Sequence, residues 1–228
     1  MKILAIDTAT EACSAALYID GDISQQYRLA PREHSHIILP MIERLLADAA
    51  LGIADLDALA FGRGPGSFMG VRIAVGVTQG IAFAHDLPVV PVSTLAAIAQ
   101  VAHAETGAIK VLSAIDARMN EVYWGAYCLA DNGCMKPAGE ESVIPPEQVS
   151  CPDDNGWCGA GSGWASYADR LTVALAPECL TLQLPDCFPS AAAVARLAVN
   201  AYEAGHHVPA SKAVPVYLRD KVAKKSAA

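Results

Sequence analysis

The chain has 228 residues, of which 18% are charged and 53% apolar, and its formal net charge is −8. That length suits one large domain or two compact lobes, and the acidic balance argues against a general nucleic-acid binder, which needs clustered Lys and Arg. So little charge also leaves room for a buried protein–protein face beyond the core. The opening, Met1 to Asp7, sets an acid behind a short apolar run and lacks a signal-peptide pattern. The longest apolar run, Ile73 to Ala84, is broken by Gln79 and is too short to span a bilayer. The expectation is a cytoplasmic protein. Seven cysteines without CxxC spacing read as reduced, structural thiols rather than a disulfide framework or a zinc site.

In chain order, Lys2 to Asp7 predicts a buried strand, and Cys13 to Asp20 a second. Asp20-Gly21-Asp22 predicts a hairpin turn into a third, Ile23 to Leu29. A helix follows over His36 to Ala50, with Ile38, Met41, Ile42, Leu45 and Ala49 as its apolar stripe. Pro40 is placed in its first turn and Gly52 at its C-terminal stop. The strand Leu56 to Phe61 then runs into Gly62-Arg63-Gly64-Pro65-Gly66-Ser67-Phe68-Met69-Gly70-Val71-Arg72 and a small-residue helix from Gly70 to Ala84. A strand, a glycine turn and a helix start can make an anion site, because glycines allow close backbone approach and free N–H groups attract phosphate. This turn lacks the Gly-Lys-Ser/Thr ending of a Walker A loop. Ser67 lies outside a Gly-x-Ser-x-Gly context and reads as the helix N-cap.

Pro88 to Val92 predicts a short strand, and Ser93 or Thr94 caps a helix to about Glu105. Lys110 to Asp116, Glu121 to Leu129 and the turn Asp131-Asn132-Gly133 repeat the strand, acid-bearing turn, strand, turn layout of the chain's start. Pro137 to Gln183 resists reading. Pro189 to Ala204 is an alanine-rich helix capped by Ser190, and the basic cluster Arg219 to Lys225 reads as a solvated tail. No histidine pair has metal-site spacing: His34 and His36 read as a helix approach, and His85, His103, His206 and His207 lie near helix ends.

Three segments, Ile6 to Thr10, Gly62 to Arg72 and Ile115 to Tyr123, together with the ending Pro215-Val216-Tyr217-Leu218-Arg219, resemble the TsaB (YeaZ) family of bacterial tRNA-threonylcarbamoyladenosine proteins. The resemblance implies an α/β fold of the actin-like ATPase superfold (ASKHA, RNase H-like) in two related lobes. The first would span 1–105, completed by part of the tail (about 207–228), and the second 106–206. It implies a scaffold or activating subunit, itself without catalytic residues, for a TsaD-like enzyme forming N6-threonylcarbamoyladenosine at position 37 of tRNA. A TsaE-like ATPase would join them, the chain would pair with itself when alone, and no sequence-specific tRNA contact is expected.

In TsaD-like relatives a His-x-x-x-His metal pair follows the strand after the glycine-led helix. Here those positions are Thr94 and Ile98, neither a fit ligand for a transition metal. No catalytic metal site is therefore expected. The resemblance also implies pairing through the two N-terminal-lobe helices. Ile38, Met41, Ile42 and Leu45 on one, with Gly70, Ala74, Thr78 and Ala82 on the other, are the candidate interface; both stripes can equally pack on their own sheet. Asp7, Thr8, Thr10 and Asp116 are candidates for a degenerate ATP/Mg²⁺ site. The alternative function is accordingly a small ATPase or kinase of the superfold using Asp7 and Asp116. Equally, these acids can cap their turns. Gly159-Ala160-Gly161-Ser162-Gly163 can approach an adenine or form a plain turn.

Overall fold

Two β-sheets of one strand order frame the protein, in a computed structural model that describes residues 1–153, 155–176 and 178–219. The first is built from β1 (Lys2–Asp7), β2 (Ala12–Ile19), β3 (Asp22–Leu29), β4 (Ala58–Gly62) and β5 (Val89–Val92), in the order β3-β2-β1-β4-β5. The second uses β6 (Lys110–Asp116), β7 (Val122–Leu129), β8 (Met135–Pro137), β10 (Trp157–Ala160) and β11 (Leu180–Leu184), in the order β11-β10-β6-β7-β8, with β9 (Ser142–Ile144) pairing with β7. In each sheet the first strand runs antiparallel to the second and parallel to the fourth, and the fourth runs parallel to the fifth. This is the actin-like, RNase H-like arrangement in duplicate, so the weak sequence repeat is a true structural one.

Period-two alternation gives each sheet two buried faces. Along β1, Leu4 and Ile6 join one core, while Ile3 and Ala5 join another. Leu59 and Phe61 against Ala58 and Ala60 do the same in β4. The first face is covered by α1 (His34–Asp48) and α2 (Phe68–His85). In the second sheet, Val111 and Ile115 face α3 (Thr94–Thr106), while Leu112 and Ala114 face α4 (Ser162–Ala174).

The helices that follow the two sheets are exchanged. α3, which leaves β5, packs on β6, β7, β8 and β10, and α5 (Ala191–Glu203), which follows β11, packs on all five strands of the first sheet. The two helices also touch each other. α5 is tied at its start to the first sheet: Ala191 N–H donates to Ser14 Oγ at 2.8 Å and Ala192 N–H to Gln25 Oε1 at 2.8 Å, beside the Ser190 cap on Ala193. A division at 105/106 would fall in the last turn of α3, which packs on the second sheet, while α5 packs on the first. The segment from 207 returns to the first lobe, where Val208 bridges Val89, Gln79 Nε2 donates to the Ala213 carbonyl and Val216 N–H to that of Arg63. Of the basic cluster, only Arg219 lies within the described residues.

Local expectations shift in α1 and α2. α1 starts at His34, so Pro40 lies inside the helix rather than in its first turn; it is exposed, so the carbonyl it leaves unbonded can be hydrated. The left-handed residue closing α1 is Ala50 (φ 52), not Gly52, which instead opens the 3-10 turn Ile53–Asp55. Ile38, Ile42 and Leu45 are core residues beneath α1, and Met41 packs half-buried against them. Gly70, Ala74, Thr78 and Ala82 are buried as well, so this stripe holds α2 to its own sheet and cannot meet a partner.

The exchange of helices makes the first sheet depend on α5. A fragment of residues 1–106 removes α5 from Ile3, Ala5, Ala58, Ala60 and Val90 and leaves only Ala97 and Val101 of α3 on that face. It is expected to be unfolded or aggregated in solution, as judged by NMR dispersion and light scattering. A dispersed, monomeric spectrum would contradict the dependence.

Candidate functional site

A cleft of about 1290 Å³ lies between the lobes, walled by the β1–β2 turn, the start of α2, the β6–β7 turn, the start of α4 and the tail. Its floor is set by the glycine turn. Ser67 N–H donates to the Ala9 carbonyl and Thr8 Oγ1 donates to the Gly70 carbonyl, both at 2.7 Å. A Cβ on Gly66 would stand 2.3 Å from the Ala9 oxygen, and one on Gly70 2.1 Å from the Thr8 oxygen. Only glycine permits this approach of helix to strand end. Ser67 Oγ accepts from Gly70 N, as the expected cap.

This contact engages Thr8, one of the candidate nucleotide-site residues. Thr8 is fully buried and donates inward to α2. Asp7 is fully buried and does not line the cleft; its Oδ1 accepts from Ala9 N at 3.1 Å, and Oδ2 has no hydrogen-bond partner and abuts Gly62. Burial pushes its carboxyl up to about 7, and the Ala9 N–H partly offsets this. Asp116 makes the same turn in the second lobe, with Oδ1 accepting from Arg118 N at 2.8 Å. It does line the cleft, with Thr10, but its carboxylate is engaged by the Arg118 guanidinium at 2.9 Å and the Tyr167 hydroxyl at 3.2 Å. The structure therefore brings Thr10 and Asp116 to one cavity and leaves Asp7 and Thr8 beneath its floor. The turn-capping reading describes both acids, and a shared Mg²⁺ between Asp7 and Asp116 is not what this geometry provides.

Within the Gly159 to Gly163 run, Ser162 lines the cleft while the glycines on either side are closed by packing. Cβ atoms at Gly159 and Gly163 would lie 2.5 Å from the Trp164 ring and 2.7 Å from Ala114 Cβ. Trp164 is buried there, its indole donating to the Leu112 carbonyl at 3.0 Å. Thr94 and Ile98 are buried in α3, with Ile98 in the core that α3 forms on the second sheet. Among the described residues no group of three His, Cys, Asp or Glu side chains is placed to hold a metal ion. His34 lines the cleft, yet its ring nitrogen is paired with the Ala12 carbonyl at 3.2 Å.

The sequence reading missed what closes the cleft. Tyr217 stacks on Phe68 with centroids 6.1 Å apart, and the Arg72 guanidinium lies 3.3 Å from the Phe68 centroid. Arg219 then crosses to the second lobe, donating to the carbonyls of Ala117 and Arg118 and to the Glu121 carboxylate. The turn it holds contains three successive left-handed residues, Arg118, Met119 and Asn120, at φ 60, 57 and 59. Such a run is costly for non-glycine residues and persists where surrounding contacts fix it. The segment Pro215 to Arg219 was recognised by likeness, but nothing in its composition indicates which turn it reaches.

Two outcomes check this geometry. A Cβ at Gly70 collides with backbone, so Gly70→Ala is expected to lower stability by about 2 kcal/mol, read from the urea midpoint at constant m. Asp7 keeps its proton in the folded state after the unfolded chain has released it near 3.8. Its contribution is complete below that pH and falls as pH rises to about 7, on the order of 1.4 kcal/mol per unit. Asp7→Asn should flatten that slope and gain on the wild type between pH 4 and 8. Parallel pH profiles for the two proteins would show that the carboxyl is not perturbed.

Comparison with known proteins bears on what this cleft and its flanking helices serve. Residues 23–157 match the family model described as TsaD, tRNA N6-adenosine threonylcarbamoyltransferase. The Escherichia coli K12 protein named tRNA threonylcarbamoyladenosine biosynthesis protein TsaB is 44% identical, over 99% of this chain and 97% of that protein. The structure of YeaZ from Pseudomonas aeruginosa superposes with a TM-score of 0.89 at 48% identity, covering 95% of this chain and 99% of that one. A second Pseudomonas aeruginosa structure, described as an uncharacterized protein with similarity to peptidase YEAZ, gives 0.90 at 48% identity, covering 96% and 99%.

Proposed function

The chain belongs to the TsaB (YeaZ) family, and from that premise we propose that it is a non-catalytic subunit of tRNA threonylcarbamoyladenosine biosynthesis that docks on a TsaD-like enzyme through the outer face of α2. The observation that carries the reading is that face. Met69, Ile73, Gly76, Gly80 and Phe83 recur at alternating spacings of four and three, the seam of a helix that packs against other helices. Met69 and Phe83 are 63% and 82% exposed, and a Cβ at Gly76 or Gly80 would meet nothing within 4 Å. With Gly70, Ala74, Thr78 and Ala82 buried on the inner side, α2 is apolar on both sides. A helix of that kind belongs inside a larger assembly. α1 packs beside it and exposes a further large apolar side chain, Leu39.

The non-catalytic part of the reading is supported by the engaged carboxylate of Asp116, the sealed Asp7 and the packing around Thr94 and Ile98. A peptidase reading, prompted by the description of one relative, lacks support at Ser67, whose hydroxyl caps α2. Without its enzyme, the same face would pair two copies of this chain, and a TsaE-like ATPase would join the complex in the cytoplasm. No helix among the described residues is long and apolar enough to cross a membrane.

Gly80→Arg, on the open face, is expected to abolish co-purification with a TsaD-like protein and to leave a folded monomer by light scattering and circular dichroism. Ala74→Arg, on the buried face, is expected to unfold the chain itself. Retention of the partner by Gly80→Arg would sink the docking assignment, and threonylcarbamoyl transfer by the purified chain alone would sink the accessory role.

A further inference from the structure

Two cysteines of the second lobe meet outside the cleft. Cys151 follows the 3-10 turn Pro146–Gln148 and is half-buried, while Cys179 immediately precedes β11 and is fully buried. Their sulfurs are 2.7 Å apart across 28 residues of chain. That is closer than unbonded sulfurs rest, and longer than the ~2.05 Å of a disulfide. The backbone holds both sites. The Cys179 carbonyl accepts Trp157 N–H at 2.9 Å, and the carbonyl of Ser150 accepts the Trp124 indole at 3.1 Å. Both cysteines pack in the core formed by Trp124, Trp157, Trp164 and Leu171. Lys110 brings a cation to this corner: its ammonium bonds Asp153 at 2.6 Å and lies over the Trp157 ring. Its pKa is raised first by the Asp153 hydrogen bond and, among lesser causes, by Cys128 and Cys151.

We propose that Cys151 and Cys179 are a covalent modification site, a dithiol that closes to a disulfide by exchange with a low-molecular-weight disulfide of the glutathione class. The exposures of the two sulfurs fix the order of events. The Cys151 thiolate attacks one sulfur of oxidised glutathione, the glutathione S–S bond breaks, and one glutathione thiolate leaves. Cys179, losing its proton as it attacks, then displaces the second glutathione from Cys151. The protein gives up two protons and two electrons, and one oxidised glutathione becomes two reduced. The new bond ties the loop before β10 to the entrance of β11.

The test uses the full chain equilibrated in mixtures of reduced and oxidised glutathione, then acid-quenched, alkylated and mapped by mass spectrometry. The expected product is a Cys151–Cys179 link, two hydrogens lighter than the dithiol, carrying no glutathione and reversed by dithiothreitol. Oxidation should raise the thermal midpoint by roughly 5 °C or more, and Cys151→Ser should abolish both link and shift. Cys179→Ser should instead trap glutathione on Cys151; if that variant does not fold, Cys151→Ala supplies the second control. The proposal is overturned if both sulfurs stay alkylatable through the series, if wild-type Cys151 retains glutathione, or if Cys151 links to Cys128.

Discussion

Everything around the cleft depends on how closely the backbone of α2 can approach the end of β1. The contact is made at Thr8 and Ala9 on one side and at Gly66, Ser67 and Gly70 on the other: the Thr8 hydroxyl donates to the Gly70 carbonyl and Ser67 N–H to that of Ala9, each at 2.7 Å. A single methyl at either glycine would stand within 2.3 Å of a carbonyl oxygen. Three consequences follow from this one constraint. α2 is pressed onto the sheet along Gly70, Ala74, Thr78 and Ala82, so its other side faces outward. Asp7 is shut beneath the floor, where burial raises its pKa to about 7. At the helix N-terminus, Gly70 N–H is capped by Ser67 Oγ and Ser67 N–H is bonded to Ala9.

The duplicated topology explains why the cleft exists and why its walls differ. Asp7 and Asp116 end equivalent strands and make equivalent turns onto the residue two positions ahead. In the first lobe the glycine turn covers the acid; in the second, Asp116 stays at the cleft and is neutralised by Arg118. The same structural position thus holds a sealed, buried acid in one copy and an ion-paired one in the other. Phe68, Tyr217 and Arg219 then join the lobes at one end of the cavity.

Most of the frame was legible because period-two runs and turn chemistry act locally. Lys2 to Asp7, Asp20-Gly21 and the caps Ser67, Ser93 and Ser190 lie where the sequence places them. What failed depends on tertiary context. In α2 two apolar stripes coexist, one on Gly70 with Ala74 and one on Gly76 with Gly80, and nothing local says which faces the sheet. The distances from Gly70 to Thr8 decide it. Pro40 misled by suggesting a helix start, although an exposed position tolerates proline in the second turn. The region Pro137 to Gln183 could not be read because its strands are short and its glycines are matched to Trp164 and Ala114, residues distant in sequence. The β6–β7 turn, left-handed at three ordinary residues, is fixed by Arg219 from about a hundred positions away.

The exchange of α3 and α5 also sets an order on biosynthesis. Chains emerge from the N-terminus and tend to fold unit by unit. Here β5 ends at Val92, yet the helix covering its inner face begins only at Ala191. During all the intervening synthesis, Ile3, Ala5, Ala58, Ala60 and Val90 lack the cover of α5 and have only Ala97 and Val101 of α3 beside them, whereas α3 is already made when the sheet it caps appears. The nascent first lobe therefore presents a largely bare apolar sheet face to the cell, and the second lobe must be finished before the first can be.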